Sequence, residues 1–150
     1  MIGKTDDLSI LKTLTSTLND SVKGYRDAAA KVESQEFREL FNRFARDREK
    51  ASSDLKAEVR RLGGDPDDDG SVLGSLHQAW LDLKAAVTGN DDKAIINEVE
   101  RGEDYLKEKF DTALASGDLH GESRAVVERA FQSVREGHDR VSSLKHSLEA

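Results

Sequence analysis

Proline occurs once in these 150 residues, at Pro66. Proline breaks helices because it lacks a backbone N–H and its ring clashes with the preceding turn. The glycines that punctuate the chain lie at Gly63-Gly64, Gly70, Gly89, Gly117 and Gly121. Between those marks the sequence is rich in Ala, Leu, Glu, Lys, Arg and Asp, and poor in alternating β-branched runs. Long unbroken stretches of that kind select helix over strand.

Periodicity places the helices. Leu8, Leu11, Thr15, Leu18, Val22, Tyr25, Ala29 and Val32 step by threes and fours, which lines one face of a helix. A second stripe runs Phe37, Phe41, Phe44, Arg48, Ala51, Leu55, Val59 and Leu62. The longer step from Val32 to Phe37 breaks the phase. It predicts a tight turn over 33–35, with Ser34 as the N-cap. Gly63-Gly64-Asp65-Pro66 ends the second helix, and an acidic loop follows to Asp69. Ser71 can cap a shorter helix to about Thr88. A third long stripe runs Ile95, Val99, Gly102, Leu106, Phe110 and Ala113, ending at Ser116-Gly117. The last carries Val127, Ala130, Val134, Gly137, Val141, Leu144 and Leu148.

Four long helices of roughly 25 to 29 residues are each about 40 Å long. Helices of matched length pack as an antiparallel bundle. The short helix sits in the long connection between helices two and three. A connection of that length can cross the whole bundle and make those two helices parallel, the ferritin-like arrangement. The expected fold is therefore all-α: a ferritin-like antiparallel four-helix bundle with a short helix in its crossover, residues 1–150 forming one domain.

Composition narrows the function. The net charge is −7, from 30 acidic and 23 basic residues. That argues against a nucleic-acid partner, since phosphate affinity comes from clustered Lys and Arg. Cysteine is absent, which excludes disulfides, thiolate metal sites and cysteine nucleophiles. No apolar run exceeds three residues, so neither a membrane span nor a signal segment is expected. Cytoplasm is the expected location, and homo-oligomerisation stays open.

Several stretches carry a resemblance. They are Leu18-Asn19-Asp20, Gly24-Tyr25 and Ala28-Ala29 on helix one, and Leu62-Gly63-Gly64 ending helix two. The crossover adds Gly70-Ser71, Gly74, His77, Trp80, Lys84-Ala85-Ala86 and Thr88-Gly89. Helix three adds Glu100-Arg101-Gly102-Glu103-Asp104, and helix four His138-Asp139-Arg140-Val141. In these the chain resembles an uncharacterised bacterial family of ferritin-like four-helix-bundle proteins, classed as a domain of unknown function. The resemblance implies fold and a bacterial source. It carries no assigned activity.

Ferritin-like bundles that bind two metals use a Glu from each of two helices and Glu-x-x-His from the other two. None of His77, His120, His138 and His146 has a Glu three residues before it. A standard di-iron site is therefore not expected. Counting outward from Ser34 sets Asp20 level with Arg48. Counting from the connection over 116–121 sets Glu100 level with Gly137 and His138, with Glu103 one turn nearer the connection. These counts predict a polar layer of Asp20, Arg48, Glu100 or Glu103, and His138 inside the bundle. Seam glycines at 102 and 137 allow close approach or leave room.

Two readings compete for that layer. One is an ion-pair network that fixes helix register. The other is a divalent metal held by Glu100, Glu103, His138 and Asp139, carboxylates being suited to hard metals. Arginine is always cationic and repels a metal ion, which favours the first. A divalent metal is the only cofactor candidate. Three further features are weaker. Asp65, Asp67, Asp69 and Gly70 fit the start of a calcium loop, but Leu76 stands where a bidentate Glu is required. Trp80 is expected to anchor the short helix, with His77 one turn away as a hydrogen-bonded residue. No nucleophile elbow or Gly-rich phosphate loop is present. The chain reads as non-catalytic or weakly metal-binding. The alternatives are a di-metal carboxylate enzyme with a non-standard site and a protein-interaction module.

Overall fold

The computed structural model of the chain describes residues 3–66 and 92–149. Four helices account for most of them: α1 (Gly3–Lys31), α2 (Gln35–Arg61), α3 (Asp92–Ala115) and α4 (Gly121–Glu149). No strand occurs among the described residues. The expected short helix over 71–88, with His77 and Trp80, lies outside the described residues. So do positions 67, 69, 70 and 76 of the calcium-loop match.

The apolar stripes become the core. Leu11, Leu18, Tyr25, Phe41, Leu55, Val59, Ile95, Val99, Leu106, Phe110, Val127, Val134 and Val141 are all fully buried. Burying a Leu, Ile or Phe side chain contributes about 1.5 to 3 kcal/mol. Between α1 and α2 the chain turns at Ser34, whose hydroxyl accepts from the Phe37 N–H at 3.3 Å. Such a cap contributes about 1 kcal/mol. Arg38 reaches back to cap the helix end before it: its Nε and Nη2 donate to the Ala29 and Val32 carbonyls, at 3.1 and 2.8 Å. Those carbonyls have no partner within α1 itself. Arg124 does the same for α3, donating to the Leu114 carbonyl.

At the far end of α2, Gly63 takes φ 87°. The Gly63 and Gly64 N–H groups donate to the Arg60 and Val59 carbonyls, the Schellman arrangement. A β-carbon on Gly64 would meet Leu8 and Val59, so α2 ends tightly against the start of α1.

Neighbouring helices are all antiparallel. Asn19 pairs with Ser52 and Arg26 with Glu49 across α1 and α2. Asp104 meets His138, and Glu100 meets Lys145, across α3 and α4. The Asp92 carboxylate at the start of α3 accepts from the Glu33 and Ser34 N–H groups, at 2.8 and 3.0 Å. The start of α3 therefore lies at the opposite end of the bundle from the finish of α2. Helix α1 packs on α2 and α3, and α4 on α3 and α2, while the α2 and α3 backbones stay apart on a diagonal. These contacts give the one-crossover topology expected from the long connection.

Candidate functional site

One charged side chain of α2 lies at the centre of the bundle. Arg48 falls on the apolar seam between Phe44 and Ala51, so the helix that buries those residues must bury it too. It is 1% exposed, and Glu103 of α3 is 0% exposed. The guanidinium and the carboxylate meet as parallel forks: Nη1 donates to Oε1 at 2.5 Å and Nη2 to Oε2 at 2.7 Å. Nη1 also donates to the Ser21 hydroxyl at 2.9 Å, and Nη2 to the Val134 carbonyl at 3.5 Å. The Tyr25 ring lies 5.4 Å from the guanidinium carbon. Phe41 and Phe44 pack on that ring in turn. All four helices contribute, and the ion pair itself spans the diagonal that the backbones leave open.

Gly137 of α4 makes room for it. A β-carbon there would run into Arg48 Nη2 and would stand 3.3 Å from Glu103 Oε2.

The electrostatics hold Arg48 charged and Tyr25 neutral. Burial opposes the charge on Arg48, but the Glu103 carboxylate outweighs it and raises the guanidinium above its ordinary value. Burial, followed by the nearby Glu103 charge, pushes the Tyr25 hydroxyl well above its usual value of 10.0. Arg48 stays charged, Tyr25 stays neutral, and both Glu103 oxygens are occupied by Arg48. Neither Arg48 nor Tyr25 is poised to pass a proton near neutral pH.

Of the residues expected to hold a metal, His138 and Asp139 meet one another, while Glu100 and Glu103 have other partners. Glu103 is bound to Arg48. Glu100 accepts from Lys145 at 3.1 Å. His138 lies at the rim, 19% exposed, with Nε2 2.6 Å from Asp104 and Nδ1 3.3 Å from Asp139, which is itself 74% exposed. Among the described residues no group of three or more His, Asp or Glu side chains stands together as a metal site. Asp20 is buried beside the layer, but Arg48 bonds its neighbour Ser21 instead. Spacing alone did not reveal Ser21, Tyr25, Asp104 or the Val134 carbonyl as members. Ser21 carried a signal, since it lies four residues before Tyr25 on the same face.

His138 faces a carboxylate through each ring nitrogen. A neutral imidazole has one N–H, so only the imidazolium donates to both. Burial alone would lower its pKa; the hydrogen bonds to Asp104 and then Asp139 raise it above the usual 6.5. The folded value thus exceeds the unfolded one. The stabilisation is complete below about pH 6.5 and is lost as pH rises through the folded value. An NMR titration is expected to give His138 a midpoint above that of a free histidine, and Asp104→Asn to bring it down. A midpoint at or below the free value would remove this contact from the account.

A second buried acid ties α2 to α4. Glu58 accepts from Ser123 at 2.7 Å and from Arg61 at 2.5 Å. The Arg61 hydrogen bond is the main cause holding its carboxyl below the usual 4.5.

Residues 6–116 match the family described as Domain of unknown function (DUF2383). No curated protein matches the sequence. Solved structures similar in fold include a two-domain protein from Anabaena variabilis ATCC 29413, with DJ-1/ThiJ/PfpI-like and ferritin-like domains. It superposes with a TM-score of 0.78 at 18% identity, over 96% of this chain and 40% of that one. At that identity the likeness establishes the ferritin-like fold alone. This chain spans about two-fifths of that protein's length.

Proposed function

We propose a non-catalytic role for this chain, which belongs to the DUF2383 family of domains of unknown function, with the bundle acting as a rigid helical body closed at its centre by an ion pair. The observation that carries this reading is the two-pronged Arg48–Glu103 contact, buried at both partners. Ferritin-like di-metal centres place carboxylates around cations at mid-bundle. Here a guanidinium fills that space and supplies the positive charge from the chain itself. The donor set does not fit a di-metal centre. A metal ion would have either to displace Arg48 from Glu103 or to sit as a second buried cation beside it, and no Glu-x-x-His is present.

The competing reading places a divalent metal on Glu100, Glu103, His138 and Asp139. Metal analysis of the purified protein separates the two. The structural reading expects less than stoichiometric metal and no rise in melting temperature with added Mn2+, Fe2+ or Zn2+. A metal bound one-to-one, and lost in both Glu103→Ala and His138→Ala, would overturn it. The described residues contain no helix long and apolar enough to cross a membrane.

A further inference from the structure

Among the described residues, grooves run along the outside of α2 on two sides. The one facing α4, about 440 Å³, is balanced in charge: Arg43, Lys50 and Arg129 stand against Asp47, Asp54 and Glu136. The one facing α1, about 290 Å³, is not. Lys23, Arg26 and Lys56 line it against a single carboxylate, Glu49. Glu49 is already paired with Arg26. Neither Lys23 nor Lys56 meets a carboxylate among the described residues. In a chain of net charge −7 this is a local reversal of sign.

The neutral residues of the groove point the same way. The Asn19 side-chain oxygen accepts from Ser52 at 2.7 Å. That bond engages the oxygen and leaves the NH2 group of this groove-lining amide to donate. Ser53 is exposed and adds a hydroxyl. The groove therefore offers two ammonium groups, the remaining guanidinium N–H groups of Arg26, an amide NH2 and a hydroxyl. Two uncompensated cations match a doubly charged oxyanion better than a monocarboxylate. The volume holds a phosphate group together with a short organic body.

We propose that the α1/α2 groove binds a phosphorylated small molecule through Lys23 and Lys56, with Asn19 and Ser53 donating to its oxygens. The site is independent of the central ion pair, which lies inside the bundle.

The test uses inorganic phosphate and pyrophosphate as probes on the intact chain, at matched ionic strength set with sodium chloride. Titration calorimetry and thermal melting are read together. Saturable binding is expected, with a melting temperature that climbs as phosphate is raised to about 10 mM. Lys23→Gln with Lys56→Gln should weaken it by about tenfold or more. Both lysines are on the surface, so the double variant should melt like the parent in phosphate-free buffer. Lys50→Gln, in the balanced groove, should bind as the parent does. Three results would each overturn the proposal: no binding above the chloride control, binding unchanged in the double variant, or binding shown only by anionic phospholipid vesicles or oligonucleotides. A reduced effect in Lys50→Gln equal to that of the double variant would show general screening and would overturn it as well.

Discussion

Arg48→Ala is expected to cost about 3 to 5 kcal/mol, because it leaves the Glu103 carboxylate buried without its cation. For a chain of this length that is a fall in melting temperature of roughly 6 to 20 °C. The cost comes mainly from the group left behind. Glu103 is 0% exposed, and Arg48 supplies two of its hydrogen bonds. Replacing both partners should therefore behave differently from replacing one. Arg48→Met keeps most of the stem's volume, and Glu103→Leu removes the charge that Met cannot satisfy. The double variant should recover most of the stability, since buried ion pairs exchange for packed apolar residues at little net cost. Denaturant melts of the two single variants and the double one decide the matter. An Arg48→Ala loss under about 1 kcal/mol would mean that the pair does not hold the fold.

Gly137→Ala should also destabilise, by about 1 to 3 kcal/mol. The sign is what makes this informative. Within a helix, Gly→Ala ordinarily stabilises by roughly 0.5 to 1 kcal/mol, because alanine loses less backbone entropy. Gly137 lies inside α4 and is not among the positive-φ glycines. Only the missing side chain distinguishes it. The added β-carbon would collide with Arg48 Nη2, and that guanidinium is held on its other sides by Glu103, Ser21 and Val134. In an Arg48→Met background the collision is relieved, so Gly137→Ala should cost less there. The difference is the coupling between the two residues. A neutral or stabilising Gly137→Ala in the parent chain would show that the space beside Arg48 is not tight.

The helices were legible because their faces are. Each long stripe named from the three-and-four spacing is buried along most of its length, and Ser34 caps where the phase breaks. Arg48 was legible too, since a charged residue on an unbroken apolar seam has nowhere to go but inward. What spacing could not give was partner identity. Counting from the connections set Asp20 opposite Arg48 and Glu100 opposite His138, whereas Arg48 bonds Ser21 and His138 bonds Asp104. The reason is geometric. Helical side chains lean toward the N-terminus of their own helix. In an antiparallel pair the two leans are opposed, so side chains that meet belong to backbone positions offset from true level. On α3 and α4 the Asp104–His138 contact is offset by about one turn from the count. The same offset moves Glu103, rather than Glu100, beside Gly137 and under Arg48. Of the residues in the metal reading, Glu103 pairs with Arg48, Glu100 with Lys145, and His138 with Asp104 and Asp139, in a chain with 53 formally charged side chains.

The diagonal position of the ion pair has a kinetic consequence. Helices α1 and α2 form one hairpin and α3 and α4 another, each closed by a short connection. Arg48 and Glu103 belong to different hairpins, and their backbones do not touch. Their hydrogen bonds can close only after both hairpins have docked and water has left the centre. A contact made that late is absent from the transition state for folding. Its loss should therefore quicken unfolding and leave the refolding rate nearly unchanged, so that in a chevron plot of Arg48→Met only the unfolding limb moves. The pair acts as a clasp on the finished bundle, lengthening the lifetime of the native state without helping the chain to find it.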